Sequence, residues 1–133
     1  VGAKLFREQV KALTDDRGAD VIYDPVGGDV SDESMRCIAP FGRLLIVGFT
    51  SGHPVQLEAN HRLIKDAEAI GFTIGGLSRL DPARERKNLA ILMGWLAAGR
   101  ITPHVSHRLP LAQAAEALKL VRERKVIGKA VLV

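Results

Sequence analysis

Two short apolar runs that stop abruptly on glycine constrain this chain more than anything else in it. Val21-Ile22-Tyr23 runs into Gly27-Gly28 through GADVIYDPVGGDV, and Leu44-Leu45-Ile46-Val47 runs into Gly48 through APFGRLLIVGFTSG. A run that is apolar on both faces and closed by a turn residue predicts a fully buried parallel strand. Glycine just past its carboxyl end admits the close approach of another backbone or of a ligand. In open α/β sheets, ligands bind at that end.

The rest of the chain repeats the device and surrounds it with helices. Residues 4–13 place Phe6, Val10 and Leu13 on one helical face, stopped by Thr14-Asp15-Asp16-Arg17-Gly18. After the first strand and the DPVGGD turn, Ser31 is a candidate cap for a helix with Asp32 and Glu33 in its first turn and with Met35 and Ile38 facing inward. Pro40-Phe41-Gly42 ends that helix, and Arg43–Val47 forms the second strand. The polar loop FTSGHPVQLEAN leads to a short helix over about 60–66 and to a third strand, Glu68–Ile74, closed by Gly75-Gly76. Asp81-Pro82 is a cap followed by proline at the first helical position. Leu89, Leu92, Met93 and Leu96 then recur at helical spacing up to Gly99. A half-polar fourth strand over His104–Leu109 precedes Pro110 and a final helix with Leu111, Ala114, Ala115, Leu118 and Val121 on its buried face. Gly128 leads into a last strand, Lys129–Val133.

Strands alternating with helices predict an α/β fold: a Rossmann-like parallel sheet flanked by helices. One strand-end glycine is only a turn, but DPVGG, VGF and IGG on one edge of one sheet line a crevice for an extended ligand. The glycine-rich G-x-G-x-x-G loop and the ribose-reading residue about 20 positions beyond it, which normally mark a dinucleotide site, are not in this sequence. A first strand–helix–strand unit is missing as well. The chain therefore reads as the second half of a doubly wound domain, whose first strand presents a bare edge unless another segment or chain covers it.

At 133 residues the chain suits a single, partial domain with a real core. Charged residues, 26% of the total, are scattered, which excludes disorder and low complexity. The net charge of +4 is not gathered into a basic patch with interleaved aromatics, so a nucleic-acid partner is not expected. Cys37 is alone, no apolar run approaches the length of a membrane span, and residues 1–10 lack a signal-peptide layout. A cytoplasmic protein with no membrane partner is the expectation.

GRGADVIYDPVGG, APFGRLLIVGFTSG and PLAQAAEALKLVRERKVIGKAVLV closely resemble the zinc-free quinone oxidoreductases of the medium-chain dehydrogenase/reductase superfamily. The resemblance runs through the whole chain in order, carried by D-x-V-G-G, G-R-x-x-x-V-G and a terminal G-K-x-V-L. It implies the carboxyl-terminal part of that family's cofactor domain, with residues 102–110 and 126–133 returning toward a catalytic domain that lies upstream. It implies NADPH as cofactor, no zinc, and hydride transfer to a quinone or related enone; preference for NADP over NAD follows by analogy alone. Carried over by position, Val26 and Gly27, then Val47, Gly48 and Phe49, then Ile74 and Gly75 contact the nicotinamide and its ribose. Lys129 reaches the pyrophosphate. No catalytic residue is assigned, and this piece by itself is not expected to turn over substrate. Relatives pair an edge strand at the place of residues 68–76, which implies a homodimer.

Other residues read more plainly. Cys37 is a small buried hydrophobe rather than a nucleophile. His104 and His107, three apart on a strand, point to opposite faces and do not suit a metal. His53 and His61 are assigned nothing. Asp24 either orients a ribose hydroxyl or caps its own turn. Tyr23 is core, and Trp95 serves packing or an interface. The alternative functions are a zinc-dependent alcohol dehydrogenase or enoyl reductase relative, and a non-catalytic module of the same fold that acts through strand-edge dimerisation.

Overall fold

The computed structural model describes residues 3–133, with residues 3–5 described by their backbone alone, and divides into two compact units, one running to Pro82 and the other over Ala83–Val133. In the first unit the order is α1 (Ala3–Leu13), β1 (Ala19–Asp24), α2 (Asp29–Arg36), β2 (Ile38–Ile46), α3 (Ala59–Lys65), β3 (Glu68–Gly71) and α4 (Ile74–Leu80). Thr14 closes α1 from both sides. Its hydroxyl donates to the Val10 carbonyl at 2.8 Å and accepts the Gly18 N–H at 2.9 Å.

The three strands form one sheet in the order β1-β2-β3, parallel throughout. Ile22, Leu44 and Ala69 share one row across it, and Tyr23, Leu45 and Ile70 share the next. Side chains alternate faces along a strand, so adjacent rows point opposite ways. The Ile22–Leu44 face carries the core, where Met35, Ile38 and Leu44 are buried with Ile22, Ile46, Leu57 and Ala67 packed around them. On the opposite face Val21, Tyr23 and Ile70 stand exposed, Tyr23 at 69%. Tyr23 is therefore not core, and β1 is buried on one side only. The apolar run predicted burial on both faces, but α2 and α3 pack against the sheet and Val21 and Tyr23 stay exposed on the other side.

Other boundaries moved for local reasons. Leu13 is 85% exposed, because it lies in the last turn of α1, off the face that meets α2. The α2 helix ends at Arg36, with Cys37 as its cap, so Ile38 is buried from a strand and not from a helix. Strand β2 begins five residues earlier than Arg43 and takes up an irregularity: Ala19 opposes Ile38 whereas Val21 opposes Arg43. Phe41, within that excursion, has φ +60° and is exposed. Strand β3 stops at Gly71, well short of Ile74, because the Thr73 hydroxyl accepts the Gly76 N–H at 3.0 Å and caps α4.

The second unit holds most of α5 (Pro82–Ala97), then β4 (Val105–Leu109), a 3-10 turn over Leu111–Gln113, α6 (Ala114–Arg122) and β5 (Lys129–Leu132). Strands β4 and β5 pair in parallel as a sheet of their own, held at the ends by the Lys129 N–H on the His104 carbonyl and the Val133 N–H on the Leu109 carbonyl, each 2.9 Å. Helix α6 meets them through Ala117, which is buried, with Ala114 and Leu120 half-buried beside it. Leu111, Ala115, Leu118 and Val121, expected to face inward, are exposed. The inward stripe is rotated onto Ala114, Ala117 and Leu120, with the small Ala117 the most buried of them. On α5, Leu89, Leu92, Met93 and Leu96 are at least 40% exposed, and the Arg100 guanidinium lies 5.3 Å from the centre of the Trp95 ring. No helix among the described residues is long and apolar enough to cross a membrane.

Candidate functional site

The carboxyl ends of β1 and β2 meet in one interlocked pair of loops. The Val47 N–H continues the ladder onto the Asp24 carbonyl at 3.0 Å. Beyond it, the Thr50 N–H donates to the Pro25 carbonyl at 3.1 Å and the Ser51 N–H to the Val26 carbonyl at 2.9 Å. Val26, Gly27, Val47, Gly48 and Phe49 are thereby brought together. Val26, Val47 and Gly48 are half-buried, Gly27 is buried, and the Phe49 side chain is 60% exposed. Among the described residues, neither the Gly48 nor the Phe49 backbone N–H is bonded to another backbone group.

The glycines are needed here, but for the chain's own sake. Gly27 has φ +75°, and a Cβ there would sit 2.8 Å from the Phe49 Cβ and 3.0 Å from the His53 carbonyl oxygen. A Cβ on Gly48 would sit 3.2 Å from the Pro25 carbonyl oxygen. In both cases the approaching group is the neighbouring loop.

The third strand contributes differently. The Phe72 N–H donates to the Ile46 carbonyl at 3.0 Å, which keeps β3 beside β2 up to its end. Ile74 and Gly75 then fall in the first turn of α4, with Ile74 66% exposed and open space around Gly75. Lys129 belongs to the second unit, exposed at the start of β5.

Asp24 is 2% exposed and fully engaged. Its Oδ1 accepts the Val26 N–H at 2.8 Å and the Gly27 N–H at 3.0 Å, and its Oδ2 accepts the Ser31 hydroxyl. Of the two readings of Asp24, the turn cap is the one built. Ser31 is not the helix cap: α2 begins at Asp29 after Gly28, which makes no side-chain cap. Its hydroxyl points back to the strand end instead. The signal for this pair was an aspartate closing a buried strand with a serine seven residues on, in the first turn of the next helix.

His53 lines a polar cleft of about 450 Å³ together with Asp29, Asp32, Arg36 and Glu58. The His61 ring nitrogens stand 4.0 Å from Asp32 and 3.8 Å from Glu58. The Cys37 thiol is buried at the end of α2, where burial pushes it above the usual thiol range and Glu33 adds to the effect. The His107 Nδ1 lies 2.8 Å from the Ser106 hydroxyl, and the His104 carbonyl takes the Lys129 N–H. Among the described residues no group of three or more His, Cys, Asp or Glu is placed to hold a metal ion.

Residues 3–132 match the family of zinc-binding dehydrogenases. The chain is 36% identical over 128 residues to a quinone oxidoreductase-like protein 2 homolog of Nematostella vectensis, covering 96% of this chain and 35% of that protein. It is 34% identical over 127 residues to quinone oxidoreductase-like protein 2 of Mus musculus, covering 96% of this chain and 36% of the other. The chain thus spans about a third of the length of these relatives. Among solved structures it resembles mycobacterial Rv1454c complexed with NADPH, at a TM-score of 0.81 and 26% identity, over 99% of this chain and 41% of that one. It also resembles an NAD-dependent alcohol dehydrogenase, at a TM-score of 0.73 and 32% identity, over 95% and 34%. With a parallel α/β sheet whose strand ends carry DPVGG and VGF, and a match from end to end, the chain belongs to the zinc-binding dehydrogenase family, on the quinone oxidoreductase side of the medium-chain dehydrogenase/reductase superfamily.

Proposed function

We propose that this chain is the part of an NADPH-dependent oxidoreductase that holds the nicotinamide end of the cofactor while hydride passes to a quinone or related enone. The observation that carries the reading is the interlocked pair of strand-end loops. It brings Val26, Gly27, Val47, Gly48 and Phe49 close together, and among the described residues the Gly48 and Phe49 N–H groups have no backbone partner. Reduced nicotinamide brings the hydride; the protein's share is orientation and the exclusion of water. Apolar side chains on either side of a flat ring hold it in one plane, and fixed backbone donors beside it suit a carboxamide oxygen. The Thr50 and Ser51 N–H groups bonded to the Pro25 and Val26 carbonyls tie the two loops together, which favours a preorganised site.

By the family resemblance, Ile74 and Gly75 are proposed as further nicotinamide contacts and Lys129 as the pyrophosphate contact. On the same reading, residues 102–110 and 126–133 return toward a catalytic domain, and the edge strand β3 within residues 68–76 pairs two copies. The NADPH-bound neighbour and the names of the curated relatives favour NADPH and a quinone acceptor. A cytoplasmic location suits the single free thiol.

Calorimetric titration of NADPH and of NADH into the full-length protein that carries this chain, beside Phe49→Ala and Lys129→Ala, tests the reading. Phe49 is exposed enough for its truncation to leave the fold intact. The expected result is NADPH binding weakened by about fivefold or more in each variant, the loss expected for one packed ring or one ion contact. Binding that neither substitution alters, or no binding at millimolar NADPH, overturns it.

A further inference from the structure

Among the described residues of the first unit, Asp24, Ser31, Glu33 and Ser34 are buried polar side chains, and the first two serve one turn. Glu33 is paired with Arg7 at 3.1 Å and with Arg36 at 3.8 Å, and the thiol of Cys37 donates to the Ser34 carbonyl. Asp24 and Ser31, by contrast, spend their side-chain bonds on the turn that presents Val26 and Gly27. The carbonyls of that turn are taken from the other side by Thr50 and Ser51. A turn with two consecutive glycines at positive φ, +75° and +57°, has wide backbone freedom by itself. Here one carboxylate holds two of its N–H groups, and charge-assisted bonds of that kind are about twice as strong as neutral ones.

We infer that Asp24 and Ser31 are positioning residues for the cofactor: Ser31, from α2, fixes the Asp24 carboxylate, and the carboxylate fixes the Val26-Gly27 turn against which the nicotinamide lies. The inference rests on the cofactor reading above. Neither side chain touches the cofactor, and no proton transfer is assigned to them. Their contribution is to hold two backbone groups still.

The test uses the full-length protein that carries this chain, with Ser31→Ala, Asp24→Asn and Asp24→Ala, read in two ways. One is amide hydrogen exchange at Val26 and Gly27; the other is NADPH affinity, measured where circular dichroism shows each variant folded. Asparagine keeps one carbonyl acceptor for the two N–H groups, and alanine keeps none. The expected result is a partial loss of protection and affinity in Asp24→Asn, whose neutral oxygen makes weaker bonds to the two N–H groups. Ser31→Ala exchanges faster and binds NADPH about tenfold more weakly, as loss of one bond to a charged group implies. Asp24→Ala loses both properties, and should it fail to fold, the other two variants decide. A lower melting temperature with exchange and affinity unchanged overturns the positioning role. No NADPH binding by the unsubstituted protein, with both amides protected, defeats the cofactor reading and the positioning role with it. Equal affinity in all folded variants defeats the positioning role alone.

Discussion

Gly27→Ala against Gly52→Ala isolates the tight approach at the heart of the site. Both glycines sit at positive φ, +75° and +82°. An L-residue in that region costs about 1–2 kcal/mol, and alanine recovers about 0.4–1 kcal/mol by restricting the unfolded chain. These two contributions are common to both variants and cancel in the comparison. What differs is space. A Cβ on Gly52 meets nothing within 4 Å, whereas one on Gly27 meets the Phe49 Cβ at 2.8 Å, its Cα at 3.1 Å and the His53 carbonyl at 3.0 Å. Carbon atoms rest at about 3.5–4.0 Å, so the Phe49 loop must be displaced, and overpacking of this kind costs about 1–3 kcal/mol. Gly27→Ala is therefore expected to be less stable than Gly52→Ala by about 1–3 kcal/mol. In urea, followed by far-UV circular dichroism, that is a midpoint lower by about 1 M for a typical slope. Equal midpoints and equal slopes for the two variants would refute the steric argument, and with it the claim that the glycine serves the neighbouring loop.

The rotated face of α6 makes a second comparison: Ala117→Leu overfills a buried position and costs about 1–3 kcal/mol, while Leu118→Ala, at an exposed one, stays within about 0.5 kcal/mol. Thermal melts in the reverse order would restore the face expected from periodicity. Burial pushes the Cys37 thiol above its unfolded value, so its contribution to stability is complete below about pH 8.5 and is lost as pH rises through the native value. Urea midpoints measured from pH 7 to 10 should fall at the alkaline end, and less so in Cys37→Ala. Iodoacetamide at pH 8.5 should label the folded protein far more slowly than free cysteine, and equal rates would contradict the burial argument.

Much of the architecture was legible along the chain. The Val21–Tyr23 and Leu44–Val47 runs, the helix ahead of Gly99 and the strand after Gly128 all appear where local pattern put them. The readings that moved depended on neighbours. Ile74 reads as strand by its apolar run, until the Thr73 cap is weighed against it. Leu118 and Val121 read as core by size, whereas Ala117 is the buried residue of that helix. Ser31 reads as a helix cap, since serine so often is one, and only the proximity of Asp24 redirects its hydroxyl.

The sequence by itself determined the alternation of strands and helices, the parallel class of the sheet and the glycine turns that close its strands. It can do so because these are short-range matters of period and of turn residues at the end of a run. Only the tertiary structure decided that one face of the sheet is covered while Tyr23 stands out on the other, that Gly27 makes room for Phe49, and that Ser31 bonds Asp24. Each of these depends on which groups meet in space across seven to more than twenty residues of chain, and no local period carries that information.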